Sequence, residues 1–208
     1  MLDPTLLVTY VLVVIGLFLV PGPAVLLTLA RSISGGRRVG IATGLGIATG
    51  DLVHTLMAAI GLSALLATSA LAFEIVKYLG VAYLLYLGVV SFFERSASLG
   101  IPATRRVEPP RAFRQAVLTE MLNPKTALFF LSFLPQFVRP EHGSAILQLV
   151  LLGLIFVVLS AAYTSLIAMG ARRFARWLER HPAVGRWQGK VVGSIYLALG
   201  LRLALQER

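Results

Sequence analysis

Asp51 and His54 stand three residues apart inside a long apolar run, where a helix facing lipid has no use for groups that can carry a proton. Asp51 lies about 12 residues into that run, which at 1.5 Å per residue is roughly 18 Å deep, near the middle of a hydrocarbon layer about 30 Å thick. A carboxylate at that depth costs on the order of 2.5 to 3.5 kcal/mol, so it belongs against a cavity or a partner group. His54 shares its face, and can pass a proton on or make a satisfied bond between helices. A second group of this kind is Glu120, Asn123, Pro124 and Lys125. Proline ends one helical segment and starts the next, and the new N-terminus offers free amides and a positive dipole end to a carboxylate. Lys125 is unfavourable at that end unless an anion answers it, and either Glu120 or a substrate carboxylate can do so.

Other candidates are backbone breaks, glycines and two further lysines. Pro21, Gly22 and Pro23 interrupt the first apolar run. Within a membrane such a backbone persists only where protein or a water-lined cavity satisfies its freed groups, the way transporters build substrate sites; a kink that only helps helices pack is the alternative. Gly40, Gly44, Gly46 and Gly50 give small surfaces ahead of Asp51 that let a neighbouring helix approach, and close approach also exposes backbone to a ligand. Such faces can join helices within one subunit or between two copies in a homodimer. Lys77, three residues after Glu74, fits a local pair at the interface with a snorkelling stem. Its recurrence at Lys190 argues for more.

These groups need a frame, and composition says which. Hydrophobic residues make up 57% of the 208, charged ones 13%, and the mean hydropathy is +0.83. The chain is therefore expected to be an all-α integral membrane protein, one domain over 1–208. The first run is read as a retained span, since no basic residue precedes it and no small-residue cleavage pattern follows. With no Cys and only His54, His142 and His181, thiol redox chemistry is excluded and no metal or other cofactor is expected. A net charge of +10 would suggest nucleic acid in a soluble protein, but the arginines fall between apolar runs, which makes them an orientation signal and excludes a nucleic-acid role.

Hydropathy predicts six spans, near 5–29, 39–66, 71–93, 112–138, 144–170 and 187–205, the first and fourth broken by proline. The first, third and fifth connections hold Arg31, Arg37, Arg38; Arg95, Arg105, Arg106, Arg111 with Arg114; and Arg172, Arg173, Arg176, Arg180, Arg186. Thirteen arginines stand there against Arg139 alone in the second and fourth, so both termini are expected outside. Lys77-x-x-Gly80-x-x-Tyr83-Leu84 returns as Lys190-x-x-Gly193-x-x-Tyr196-Leu197, an offset of 113, and Pro23 falls on Pro135 at an offset of 112. Three spans are an odd number, so the halves run oppositely: two inverted three-helix repeats, about 1–95 and 112–208, with a linker about 96–111.

Taken together, Pro21-Gly22-Pro23, the glycine-rich second span, Lys77-x-x-Gly80-x-x-Tyr83-Leu84-x-x-x-Gly88, Asn123-Pro124-Lys125 with Phe129-Phe130, and Pro135-Gln136-Phe137 resemble the lysine exporter and homoserine-threonine efflux (LysE-type) translocators over nearly the whole chain. The resemblance implies an exporter of amino acids or small derivatives in the bacterial inner membrane, driven by the proton gradient. Ala24 stands where that family often has Asn or Asp, which leaves opened backbone as the contribution of that position. Export of another small polar solute and a non-transporting membrane scaffold are the alternatives. A hydrolase is disfavoured, because no serine sits in a recognisable nucleophile motif. Asp51, Glu74 and Glu120 suit a cationic solute, and Lys77, Lys125 and Lys190 a carboxylate, so charge does not name the substrate.

The arginine bias yields a direct test. Single cysteines at Ser34, Ala103 and Ala183 should react with an impermeant maleimide only from the cytoplasmic side, and one at Ser69 only from outside. External labelling at Ala103 overturns the orientation and the opposed repeats with it.

Overall fold

The computed structural model describes residues 4–19, 22–68, 70–93 and 106–180, and beyond them 187, 190, 193–194, 196–198, 200–201 and 204–205. Pro21, Ser69, Ala103, Ala183 and the side chain of Lys77 lie outside the described residues. The chain builds α1 (Pro4–Leu19), α2 (Pro23–Gly35), α3 (Arg37–Thr68), α4 (Ala70–Phe93), α5 (Pro109–Met121), α6 (Pro124–Ser132) and α7 (Ala145–Arg180), with 3-10 turns at Leu134–Phe137 and Pro140–His142. The described residues between 187 and 205 are helical as well.

The second and third expected spans fall within α3 and α4, and all of the fifth but Ser144 lies in α7. The first is α1 and α2, bent by 57° at the break, with Pro23 at the first position of α2 where its missing N–H costs nothing. The fourth is two short helices and a 3-10 turn: α5 stops at Met121, Asn123 and Pro124 start α6, and Pro135 sits in the turn beyond. The fourth span is thus interrupted at Pro124 and again before Pro135. The first arginine-bearing connection also shrinks. Arg31 lies in α2 and Arg37 opens α3, because nothing stops α2 before Gly35 and one residue, Gly36, makes the turn at φ 82°, a conformation glycine adopts freely. α7 overruns its expected end at 170 by ten residues, since hydropathy marks where apolar character ends and not where helix ends.

Exposure is inverted relative to a protein folded in water. Val8, Leu12 and Ile15 of α1, Leu52, Leu56 and Ile60 of α3, and Leu147, Leu151, Leu154 and Val158 of α7 all face outward. Thr28, Ser32, Thr43, Asp51, His54, Glu120, Asn123, Ser160 and Thr164 are buried. Among the described residues, Arg37–Leu62 and Ala145–Ala171 are long and apolar enough to cross a bilayer, and the bent pair α1–α2 counts as a third crossing. The protein is a membrane protein by this surface.

Glycines set the helix packing. A Cβ at Gly40 would meet Ala168, one at Gly44 would meet Thr164, and one at Gly153 would meet Thr55, so α3 and α7 run antiparallel along one seam. Gly46 lies against Ala116 and Gly50 against Glu120, which makes α5 parallel to α3. Arg31 Nη2 donates to Gln115 Oε1 at 2.8 Å, joining α2 to α5. The starts of α3 and α5 and the ends of α2 and α7 therefore share one end of the bundle, and Arg31, Arg37, Arg38, Arg111, Arg114, Arg173, Arg176 and Arg180 gather there. At the other end Tyr10, Phe129, Phe130, Phe133, Phe137 and Phe156 form an aromatic core with Leu134, Leu149 and Leu152.

A Cβ at Gly44 would sit 2.7 Å from Thr164 Oγ1, whereas one at Gly61 would have nothing within 4 Å. Gly44→Val should therefore lower stability by about 1–3 kcal/mol through overpacking, read as a lower midpoint of thermal unfolding in detergent. Gly61→Val should unfold like wild type. Equal midpoints for the two variants contradict the seam.

Candidate functional site

Asp51 lies 14 residues after Arg37 and 11 before Leu62, in the middle of the apolar segment of α3. Ser160 lies 15 residues after Ala145 and 11 before Ala171, in the middle of that of α7. Because the two helices are antiparallel and cross at this level, both residues fall near the membrane midplane. Asp51 is 1% exposed, its carboxyl lies beside the Glu120 carboxyl and the Ser160 hydroxyl, and Oδ2 has no donor.

Glu120 reaches Asp51 because α5 comes close to α3. A Cβ on Gly50 would stand 2.6 Å from Glu120 Cβ, so only a bare glycine lets the last turn of α5 bring its carboxyl to the residue that follows Gly50 in α3. Glycines 46 and 50 act here through packing and position the acid.

Glu120 is 1% exposed and held from three sides. Asn123 Nδ2 donates to both carboxylate oxygens, at 3.1 and 3.2 Å, and the Thr126 hydroxyl donates to Oε1. His54 Nε2 lies 2.9 Å from the Glu120 carbonyl oxygen; a carbonyl only accepts, so that nitrogen carries the hydrogen. The His54 ring also stacks on Phe130, with centroids 5.8 Å apart. Asn123 has a second task. Its Oδ1 accepts from the Lys125 amide at 3.1 Å, capping α6, whose first residue Pro124 has no N–H to satisfy.

These groups border a cavity with about 410 Å³ of empty space, the open solvent at its mouth included. Both breaks open onto it: Leu17 and Phe18 end α1, Gly22, Ala24 and Val25 start α2, and Asn123, Lys125 and Thr126 surround the start of α6. Ile47 and Asp51 come from α3, and Phe156, Ser160, Tyr163 and Thr164 from α7. Lys125 Nζ crosses to the other break and donates to the Leu17 carbonyl at 2.9 Å.

Gly22, Asp51, Glu120, Asn123 and Lys125 are thus brought together, with His54 behind Glu120 and Gly46 and Gly50 in the seam. Pro23 and Pro124 open their helices beside the cavity with exposed rings. Lys77 lies in α4. Lys190 is exposed, its Nζ 5.4 Å from the centre of the Trp187 ring, the setting of an interfacial anchor. Glu74 is exposed as well. Ser160, Thr164, Thr126 and Tyr163 were not singled out for binding by sequence reasoning. The spacing of Ser160 and Thr164, four residues apart in the most apolar stretch, is the signal that could have found the first two.

The profile of the family described as LysE type translocator matches residues 15–207. An uncharacterized membrane protein of Pseudomonas aeruginosa is 35% identical over 94% of this chain and 93% of its own length. A homoserine/homoserine lactone efflux protein of Salmonella typhimurium is 31% identical over 90% of each chain, and a leucine efflux protein of Salmonella choleraesuis is 29% identical over 94% of this chain and 93% of its own. No solved structure matches the chain significantly.

Asn123 both caps α6 and ties down Glu120, so Asn123→Ala should cost about 1–2 kcal/mol of stability. Asn123→Asp keeps the cap but sets a carboxylate against Glu120, and its deficit alone should shrink as pH falls and the added acid is neutralised. Thermal unfolding of both variants across pH 5 to 8 reads the difference; parallel curves contradict the double role.

Proposed function

Because this chain belongs to the LysE type translocator family, we propose that it is a secondary active exporter of amino acids or small amino-acid derivatives across the bacterial inner membrane, coupled to inward movement of protons. The observation that carries the reading is the pair of buried carboxyls, Asp51 and Glu120, facing each other at mid-membrane on the wall of a cavity where two proline breaks meet. At that depth a carboxyl beside a second carboxyl is a group suited to take up and pass on a proton. The efflux proteins among the relatives support an amino acid as cargo.

The residues divide the work as follows. Asp51 loads and releases the proton as access alternates; Asn123 and Thr126 hold Glu120 beside it, and His54 fixes the Glu120 backbone. One proton exchanged for a neutral solute moves one charge, and roughly 150 mV then supplies about 3.5 kcal/mol, enough for an outward gradient of a few hundredfold. Alternation suits two opposed repeats, 1–95 and 112–208. Supporting this, α3 crosses α7 antiparallel, and α4 meets the last helical residues antiparallel, Gly88 against Leu197 and Phe92 against Gly193. Tyr83 and its counterpart Tyr196 lie within electrostatic reach of each other, as equivalent residues near a two-fold axis do. The arginine-rich end is assigned to the cytoplasm, with both termini outside.

Asp51→Asn keeps shape and most hydrogen bonding but cannot titrate. In inverted vesicles it should lose uphill accumulation of substrate while downhill exchange persists. A variant that still concentrates substrate with wild-type dependence on pH removes Asp51 from coupling.

A further inference from the structure

Resting on the exporter reading, we propose that Lys125 is the receptor for the solute's carboxylate and that the cargo class is a free amino acid with an apolar side chain. The lysine stands at an exchange point. Four residues after Leu17 the sequence has Pro21, which has no N–H, so the Leu17 carbonyl is denied its helical donor and Lys125 Nζ supplies one at 2.9 Å. A neutral carbonyl is a weaker partner for an ammonium than a carboxylate is. The anion nearest in sequence, Glu120, already accepts from Asn123 and Thr126. A solute carboxylate entering the cavity can therefore take over the Nζ.

The surroundings fit that ligand. A Cβ at Gly22 would lie 3.4 Å from Lys125 Cδ and 3.5 Å from Nζ, so the bare glycine leaves open the space alongside the ammonium. α2 starts at the same wall with no side-chain cap, its positive end toward the cavity. Asp51 borders the cavity with an oxygen that lacks a donor, so a cation and an unfilled acceptor lie on one chamber, the pattern that the two ends of a zwitterion complete. Much of the remaining wall is apolar, with Phe18, Val25, Ile47 and Phe156, beside the hydroxyls of Ser160, Tyr163 and Thr164. When Nζ leaves Leu17 for the solute, the strap between α6 and the end of α1 opens, and loading is linked to loosening of the broken span.

The test compares L-leucine with L-leucinamide, which lacks the carboxylate, by calorimetric binding to the purified protein and by energised uptake into inverted vesicles. Wild type should bind leucinamide at least roughly tenfold more weakly than leucine, the loss of one charge-assisted bond. Lys125→Gln should reduce that preference to within about twofold, and Lys125→Arg should keep it. Failure of wild type to bind leucine, equal binding of the two compounds, or a preference kept in Lys125→Gln overturns the inference. Uptake of an amino acid without discrimination defeats it while leaving the exporter reading intact; discrimination in binding without energised uptake does the reverse. If neither glutamine nor arginine variant is monodisperse, acylation of wild type by a lysine-directed reagent decides: leucine and not leucinamide should protect Lys125, and equal protection overturns the inference.

Discussion

Two carboxyl groups facing each other at mid-membrane are tolerable only inside a polar shell, and the other packing choices around the site serve that shell. α5 can deliver Glu120 to Asp51 because Gly46 and Gly50 remove the side chains that would hold the helices apart. Asn123 and Thr126 then supply donors from the far side, and His54 ties down the backbone, so the acid is held by neutral groups that can stay in place whatever its charge. On the α7 side Ser160 faces Asp51, while Thr164 spends its hydroxyl on the Ser160 carbonyl at 2.7 Å. Lipid outside and polar groups inside follow from one solvent rule, that every buried polar group in a bilayer must find its partner within the protein.

The two breaks are complementary. Proline deprives α1 of a donor at Leu17, and a proline break also sets Lys125 at the first turn of α6, the residue that supplies the missing donor. The defect in α1 is repaired from α6, while α6 caps its own start through Asn123. The aromatic core on the far side of α6, with Phe129, Phe130 and Phe156 in edge and tilted contacts, gives these short segments the rigidity that nine residues of helix would lack alone.

Much of this was legible in the sequence because membrane depth turns residue type into information. Asp51, Glu120, Asn123 and Lys125 were conspicuous as polar groups within apolar runs, and all four line one cavity. Periodicity and hydropathy located α3, α4 and α7, while helix ends were misjudged where polar helix continued beyond the apolar run, as at Arg31 and after Gly170. Which lysine mattered was hidden. Lys125 and Lys190 look alike in sequence, and only the meeting of two breaks separates the one at the cavity from the exposed one over Trp187. Ser160 and Thr164 were hidden for another reason, since a hydroxyl in a membrane helix commonly bonds its own backbone, as Thr164 does, and chemistry cannot be told from self-satisfaction by letter alone.

The length of α7 has a mechanical consequence. Its 36 residues extend about 54 Å, well beyond a hydrocarbon layer of about 30 Å, and the overhang past Ala171 presents Arg173, Arg176 and Arg180 outward with Trp177 among them. Sliding α7 lengthwise toward the opposite leaflet would carry these guanidinium groups toward hydrocarbon, where charge is costly. The helix is therefore buoyed at a fixed depth, like a float with a weighted keel.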